Sequence, residues 1–222
     1  MHFLSLETST KIFSLAVSKD EEVLRFRNLK SAQVLEDSII DAIDKILDSA
    51  GVAFQKIDGF AVALGPGSFT SLRVGLSTVK AFAMATQKPV VGISSLDVIA
   101  EGVAHIACDE ICVITDARRG NVYSAIYRQG KRQGEHALTT LDDVLDRVHG
   151  KTLFVGDAIN LYKTAIEAAG CVSIFADEKF WYPQAKNLAK LAYQRFEAKK
   201  HDEASTLVPI YLYPQDCQVQ KS

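Results

Sequence analysis

Cysteine is scarce in this sequence and badly spaced for a staple or a metal cage. Cys108, Cys112, Cys171 and Cys217 form no C-x-x-C pair, and a chain of 222 residues can bury a core without disulfides. His105, Cys108 and Cys112 lie close together, but Cys112 opens a strand-like run, ICVITDA (111–117), and no fourth zinc ligand is near. Long apolar runs are missing too: none approaches the roughly 18 residues that span a bilayer. Glu7 interrupts the one signal-like segment, which has no basic residues ahead of it. Nor is there an excess of one charge. With 25 Lys+Arg against 27 Asp+Glu the net is −2, too little to draw nucleic acid or anionic lipid by the field of the whole chain. The P-loop spacing and the G-x-S-x-G nucleophile elbow are both absent. A soluble, cytoplasmic globule is expected.

The pattern that is present reads as two halves. HFLSLE (2–7), IFSLAVS (12–18) and EVLRFRN (22–28) read as three strands joined by turns. A helix follows, with Ser31 as N-cap, Leu35, Ile39, Ala42, Ile43 and Ile46 as its apolar stripe, and Gly51 as its stop. The strand GFAVALG (59–65), a helix from about Phe69 to Thr86, the strand KPVVGI (88–93) and the helix SLDVIAEGVAH (95–105) complete the half. The second half repeats the order. Strands ICVITDA, NVYSAIYR (121–128) and a weaker RQGEHAL (132–138) precede the helix LDDVLDRV (141–148). Then come TLFVG (152–156), AINLYKTAIEAAG (158–170), VSIFA (172–176) and a long helix over 184–199. Each half spells βββαβαβα, with Glu7 and Asp116 at equivalent strand ends, which predicts duplicated halves at 1–106 and 107–222. Mixed sheets covered by helices, facing each other across a cleft, resemble the α/β architecture of actin, the sugar kinases and the heat-shock ATPases (the ASKHA fold). The tail, with Pro209 and Pro214 around a short apolar segment, reads as a docked extension that frays at its end.

The richest stretch is ALGPGSFTSLRVGLSTVKAFA (63–83), a strand, a Gly-Pro-Gly turn and a helix. Gly65 and Gly67 permit backbone angles barred to other residues, and Ser68 or Thr70 can cap the helix. Such a junction serves as a structural turn, an anion site at a helix end, or an interface turn, and the residues alone leave all three open. Within the helix, Ser71 and Gly75 with Thr78 form a small-residue strip. A glycine there costs on the order of 1 kcal/mol relative to alanine, which close approach of another backbone would offset. Whether that backbone is the chain's own sheet or a second subunit stays open as well. Asp37, Asp41, Asp44 and Asp48 share one arc of the preceding helix, either a solvated face or a surface that selects a basic partner.

GPGSFTSLRVG (65–75), VGISSLDVIAE (91–101) and DARRGNVYSAIY (116–127), with LETST (6–10) and PIYL (209–212), resemble the bacterial TsaB (YeaZ) family over nearly the whole chain. That resemblance implies a subunit of the machinery that makes threonylcarbamoyladenosine in transfer RNA. It implies a heterodimer with the catalytic paralogue TsaD, which carries the metal and transfers the threonylcarbamoyl group, and contact with the ATPase subunit TsaE. The first two helices build the TsaD contact in that family and also self-associate. Carried over, this assigns Leu35, Ile39, Ser71, Leu72, Gly75 and Val79 to the interface. Two departures from the family pattern are Ser71, often glycine there, and Lys30-Ser31-Ala32, where a His-Ser-Glu-like start is usual.

The residue chemistry favours a scaffold over a catalyst. An ATPase of this architecture needs carboxylates in both halves and glycine turns at the phosphates. Glu7, Ser9, Gly65, Gly67, Asp116 and Arg118 are the expected remnant of such a site. However, Ala117, Arg118 and Arg119 follow Asp116 where a D-x-G turn is wanted, and no Gly-Gly clamp precedes the last helix. The five histidines are scattered, without an H-x-x-x-H pair. No cofactor of its own is expected, with ATP or ADP and a metal ion bound by the partner or at the shared interface. Transfer RNA is expected to be reached through the complex, aided at most by Lys186, Lys190, Arg195, Lys199 and Lys200 on the last helix. The alternative is an autonomous ATP-dependent phosphotransferase working through Glu7, Asp116 and the glycine turn.

Overall fold

Three alternating apolar segments at the N-terminus pair as consecutive antiparallel strands, β1 (His2–Glu7), β2 (Ile12–Lys19) and β3 (Glu22–Lys30). The computed structural model describes residues 1–30 and 38–213. Ser31, Leu35 and Asp37 lie outside the described residues, as do Pro214 and Cys217. The first described helix, α1 (Ile39–Ala50), is capped by the Ser38 hydroxyl and stops at Gly51, whose φ of 66° only glycine takes without strain. It is followed by β4 (Gly59–Ala63), α2 (Phe69–Thr86), β5 (Val90–Ile93) and α3 (Ser95–Val103). The first sheet runs β3-β2-β1-β4-β5, with β4 and β5 parallel to β1.

The second half is β6 (Glu110–Arg118), β7 (Asn121–Arg128), β8 (Lys131–Arg132), β9 (Ala137–Thr139), α4 (Leu141–Leu145), β10 (Lys151–Val155), α5 (Ile159–Ala168), β11 (Val172–Phe175) and α6 (Ala185–Glu197). Its sheet runs β11-β10-β6-β7-β8, with β9 also on β7. The two orders are the same when β1 is laid on β6. One expected strand differs: 132–138 breaks into β8 and β9, with Gly134 at positive φ bending the chain between them, while Gly130, also at positive φ, turns it from β7 into β8.

The cores show how the halves are joined. α1 and α2 cover one face of the first sheet, burying Ile43, Ile46, Leu76 and Val79 with Leu4 and Leu15 in one cluster. The last helix of each half crosses over. α3 packs Leu96, Ile99 and Val103 against Val113 and Leu153 of the second sheet. α6 packs Leu188, Ala192 and Phe196 against Phe3 and Ala61 of the first. Each sheet is therefore complete only with the other half's helix, a stronger coupling than two halves in simple contact. Among the described residues, no helix is long and apolar enough to cross a membrane.

Candidate interlobe cleft and partner-facing helices

β1 delivers Glu7 to the junction between the lobes, where it is fully buried. The Ser9 backbone N–H donates to Glu7 Oε1 at 2.5 Å, and the Ser95 hydroxyl donates to Oε2 at 3.0 Å. Burial outweighs the hydrogen bonding from the Ser9 side chain and backbone and from Ser95, and lifts the carboxyl to about 7. The glycine turn closes over the same point. Gly67 backs onto the Ser9 backbone so tightly that a β-carbon would collide with it, and the Ser68 N–H donates to the Ser9 carbonyl at 2.7 Å. The Ser95 N–H donates to the carbonyl of Gly65 at 2.8 Å. The turn thus spends its geometry on the chain's own first hairpin and on the start of α3.

The opposite wall comes from the second half. Asp116 lies near the end of β6, equivalent to Glu7, and its N–H donates to Asp157 Oδ1 at 2.9 Å. Arg118 donates its N–H to Asp116 Oδ1 at 2.8 Å and pairs with Oδ2 at 3.2 Å, its side chain lying out in solvent. Arg118 and Arg119 both hold positive φ, which a D-x-G turn would have given to glycine. Asp157, on the turn after β10, is raised chiefly by burial and also by Asp116 beside it. Ser9, Gly67, Asp116 and Arg118 all line the resulting cavity of about 240 Å³, with Glu7 and Gly65 buried next to it. Sequence reading missed Lys11, Asp157 and Tyr182, which line it too. The only signal for Asp157 is its place at the end of a strand in the repeat.

A nucleotide, which this architecture implies, does not fit these residues. The cavity is smaller than the roughly 300–1,000 Å³ of sites for drug-sized ligands. Trp181, Tyr182 and Pro183 line it ahead of α6, where a glycine pair would admit an adenosine. A larger cavity of about 540 Å³ lies beside α3. Its charges are already matched: Asp97 accepts from the Tyr127 hydroxyl at 2.6 Å and from Arg132 at 3.2 Å. Cys112 is buried in β6, its thiol pushed up by burial, and among the described residues no three metal-ligating side chains converge.

The proposed interface set needs correction. Ser71, Leu72, Gly75 and Val79 face inward on α2, with Leu72 and Val79 essentially sealed from solvent. The Thr8 hydroxyl donates to the Ser71 carbonyl at 2.9 Å and fills the space above Gly75. The close-packed backbone is the chain's own. Leu35 lies outside the described residues, and Ile39 packs half-buried at the edge of the first core. The open face of α2 is instead Thr70, Arg73, Ser77, Ala81 and Met84, with Phe69 at its start. Phe69 is 54% exposed and Met84 60%, and on α1 the exposed residues are Ile40, Asp41, Asp44, Lys45, Asp48 and Ser49. The basic face of α6 is largely spent: Lys190 pairs with Glu101 at 2.5 Å, Arg195 with Asp202 at 3.0 Å, and Lys186 lies over Phe26.

Against known proteins, the family model for TsaD, tRNA N6-adenosine threonylcarbamoyltransferase, matches residues 30–221. The tRNA threonylcarbamoyladenosine biosynthesis protein TsaB of Bacillus subtilis (strain 168) is 28% identical, over 96% of this chain and 94% of its own length. TsaB of Escherichia coli (strain K12) is 25% identical over the same shares. The solved structure of YeaZ from Pseudomonas aeruginosa superposes with a TM-score of 0.80 at 25% identity, covering 95% of this chain and 99% of that one. A putative N-acetylmannosamine kinase from Listeria monocytogenes superposes with a TM-score of 0.52 at 11% identity, covering 89% and 100%, and shows the ASKHA fold alone.

Proposed function

The chain belongs to the TsaD-type threonylcarbamoyltransferase family and, within it, to the TsaB (YeaZ) group, and we propose that it serves tRNA threonylcarbamoyladenosine formation as a non-catalytic subunit. It binds and supports a TsaD-type paralogue that carries out the transfer to the adenosine 3′ of the anticodon. The observation that carries this is the stitched cleft. Ser68 and Gly67 are committed to Ser9, so the loops that hold phosphates elsewhere in this architecture hold each other. ATP or ADP and the metal then belong to the partner or to the shared interface. The partner's ATPase subunit of TsaE type joins the same complex, and tRNA is reached through it in the cytoplasm.

The contact uses the outer faces of α1 and α2, which lie side by side on the first sheet. Met84, Ile40 and Phe69 supply exposed apolar area, and Asp41, Asp44 and Asp48 select a basic partner surface. In the absence of a partner the same faces pair two copies of this chain. The test is a deletion strain. Its tRNAs are expected to lose the modified adenosine, and a plasmid copy carrying Asp116→Asn is expected to restore it. Full modification in the deletion strain overturns the reading. So does magnesium-dependent ATP turnover by the purified chain that Asp116→Asn abolishes, which would favour the autonomous phosphotransferase.

A further inference from the structure

The hairpin tip between β6 and β7 is strained in a way that the fold does not require. Arg118, Arg119 and Gly120 follow one another at φ of 68°, 55° and 75°. Glycine takes that region freely, but a β-carbon makes it unfavourable, so glycine at 118 or 119 would close the same hairpin with less strain. Neither arginine offsets this by holding the chain together. The Arg118 side chain is 86% exposed and makes one ion pair, with Asp116 at 3.2 Å, of the surface kind that adds little to stability. Arg119 is exposed, and among the described residues its guanidinium has no hydrogen-bond or ion-pair partner. The tip is nevertheless braced. The Arg118 N–H donates to Asp116 Oδ1 at 2.8 Å, and the Tyr213 hydroxyl donates to the Ala117 carbonyl at 2.7 Å. Tyr123 and Tyr213 meet edge-on at its base, both half-buried. Strain that the surroundings hold in place, beside a cleft, points to use.

We propose that this tip is a contact for the phosphate backbone of tRNA, with Arg118 and Arg119 as its two cations. The proposal rests on the reading that the chain serves tRNA modification. Arginine fixes the chemistry, since its planar fork of donors matches phosphate and keeps its charge. Shape fixes the size. A β-carbon at Gly120 would have nothing within 4 Å, so the tip is open and cannot enclose free phosphate or a nucleotide. A polyanion that lies across it is needed, and backbone contacts of this kind position an RNA without reading its sequence. Tyr123 and Tyr213 offer partly open rings beside the arginines, suited to the unstacked bases of an RNA loop. The last helix is a poorer place for RNA, because Lys190 and Arg195 are engaged with Glu101 and Asp202.

The experiment titrates unmodified tRNA against the complex of the full chain with its TsaD-type partner, across about 50–200 mM salt. The double variant Arg118→Gly, Arg119→Gly is expected to bind tRNA at least tenfold more weakly. Its plot of log affinity against log salt should be shallower by about 1.4–1.8, the loss of two phosphate contacts. Arg118→Lys with Arg119→Lys keeps the charges and should keep the slope. Co-elution of the glycine variant with the partner is expected to be unchanged, and the variant alone should melt no lower than the parent. Unchanged tRNA affinity and slope overturn the proposal. So does lost co-elution, which would make the polyanion an acidic segment of the partner protein. A melting temperature lowered by more than about 4 °C would make the arginines structural and overturn it as well. If the parent chain and the TsaD-type protein do not co-elute, the partner reading fails instead, and the same titration of the chain alone decides on the arginines. Absence of tRNA binding by the parent in both forms also overturns the proposal.

Discussion

Thr8 sits directly on Gly75: its hydroxyl donates to the Ser71 carbonyl one turn earlier at 2.9 Å and occupies the space a side chain at position 75 would need. The glycine in α2 is therefore a packing device within the chain. Any larger residue must push the first hairpin off the helix, and that hairpin carries Glu7 and Ser9 into the cleft. Gly75→Leu is expected to destabilise the isolated chain by about 1–3 kcal/mol, the usual cost of overpacking a tight contact. Urea unfolding of the chain alone measures this. An unchanged midpoint would mean that the helix and hairpin part more readily than their geometry indicates.

The outer face of the same helix has the opposite signature. Ala81 and Met84 are exposed and belong to none of the buried core clusters, so charges placed there are tolerated in the free chain. Ala81→Arg and Met84→Asp are expected to shift its stability by no more than about 0.5 kcal/mol. If α1 and α2 receive the partner, each is also expected to weaken co-purification with a TsaD-type protein by tenfold or more, about 1.4 kcal/mol. Retained pull-down by both variants would move the contact to another face.

This division between inner and outer faces was beyond the reach of the sequence for a physical reason. α2 is small or apolar nearly all round: Leu72, Leu76, Val79 and Ala83 point in, and Val74, Ala81, Met84 and Ala85 lie on the other side. Period alone cannot choose between two apolar faces. Where one face is plainly polar, as in α1 with Asp41, Asp44 and Asp48 opposite Ile43, Ile46 and Leu47, the orientation was legible. So were the strands and the repeat, since ICVITDA and HFLSLE end in equivalent acidic positions. The cleft was half legible. Glu7, Ser9, Asp116 and Arg118 stand next to recognisable turns, but Asp157, Lys11 and Tyr182 join them only through contacts between turns far apart in the chain.

Glu7 gives stability a pH dependence. Its folded value of about 7 lies above the usual 4.5 because burial disfavours the carboxylate. In the unfolded chain the group ionises near its ordinary value. The stabilising contribution of the protonated form is thus fully present below about pH 4.5 and is lost as pH rises toward 7. A shift of this size corresponds to a few kcal/mol across that window. Glu7→Gln can still accept from the Ser9 N–H and reach the Ser95 hydroxyl with no charge to bury. It is expected to flatten the dependence and to be more stable than the parent at pH 7 and above. Parallel melts between pH 4.5 and pH 8 check this. Curves that stay parallel across the window would place the Glu7 carboxylate in a wetter site than its burial indicates.

The tail holds the two lobes at the mouth of the cleft. The Ile210 N–H donates to the Leu64 carbonyl at 2.8 Å, Arg73 donates to the Tyr211 hydroxyl at 3.1 Å, and the Tyr213 hydroxyl donates to the Ala117 carbonyl at 2.7 Å. The first two contacts anchor the segment on the first lobe, and the third reaches the β6–β7 turn of the second. Tyr213 also meets the Tyr123 ring edge-on, so its phenyl body stays seated when the hydroxyl is removed. Tyr213→Phe therefore isolates one interlobe hydrogen bond, worth about 0.5–1.5 kcal/mol. For a chain of this length, each kcal/mol lowers the melting temperature by roughly 2–4 °C. Amide exchange is expected to quicken at the turn from Ala117 to Asn121, while the interior of β6 keeps its protection. Equal exchange at that turn in parent and variant would show that the two lobes are held by the exchanged helices α3 and α6 without help from the tail.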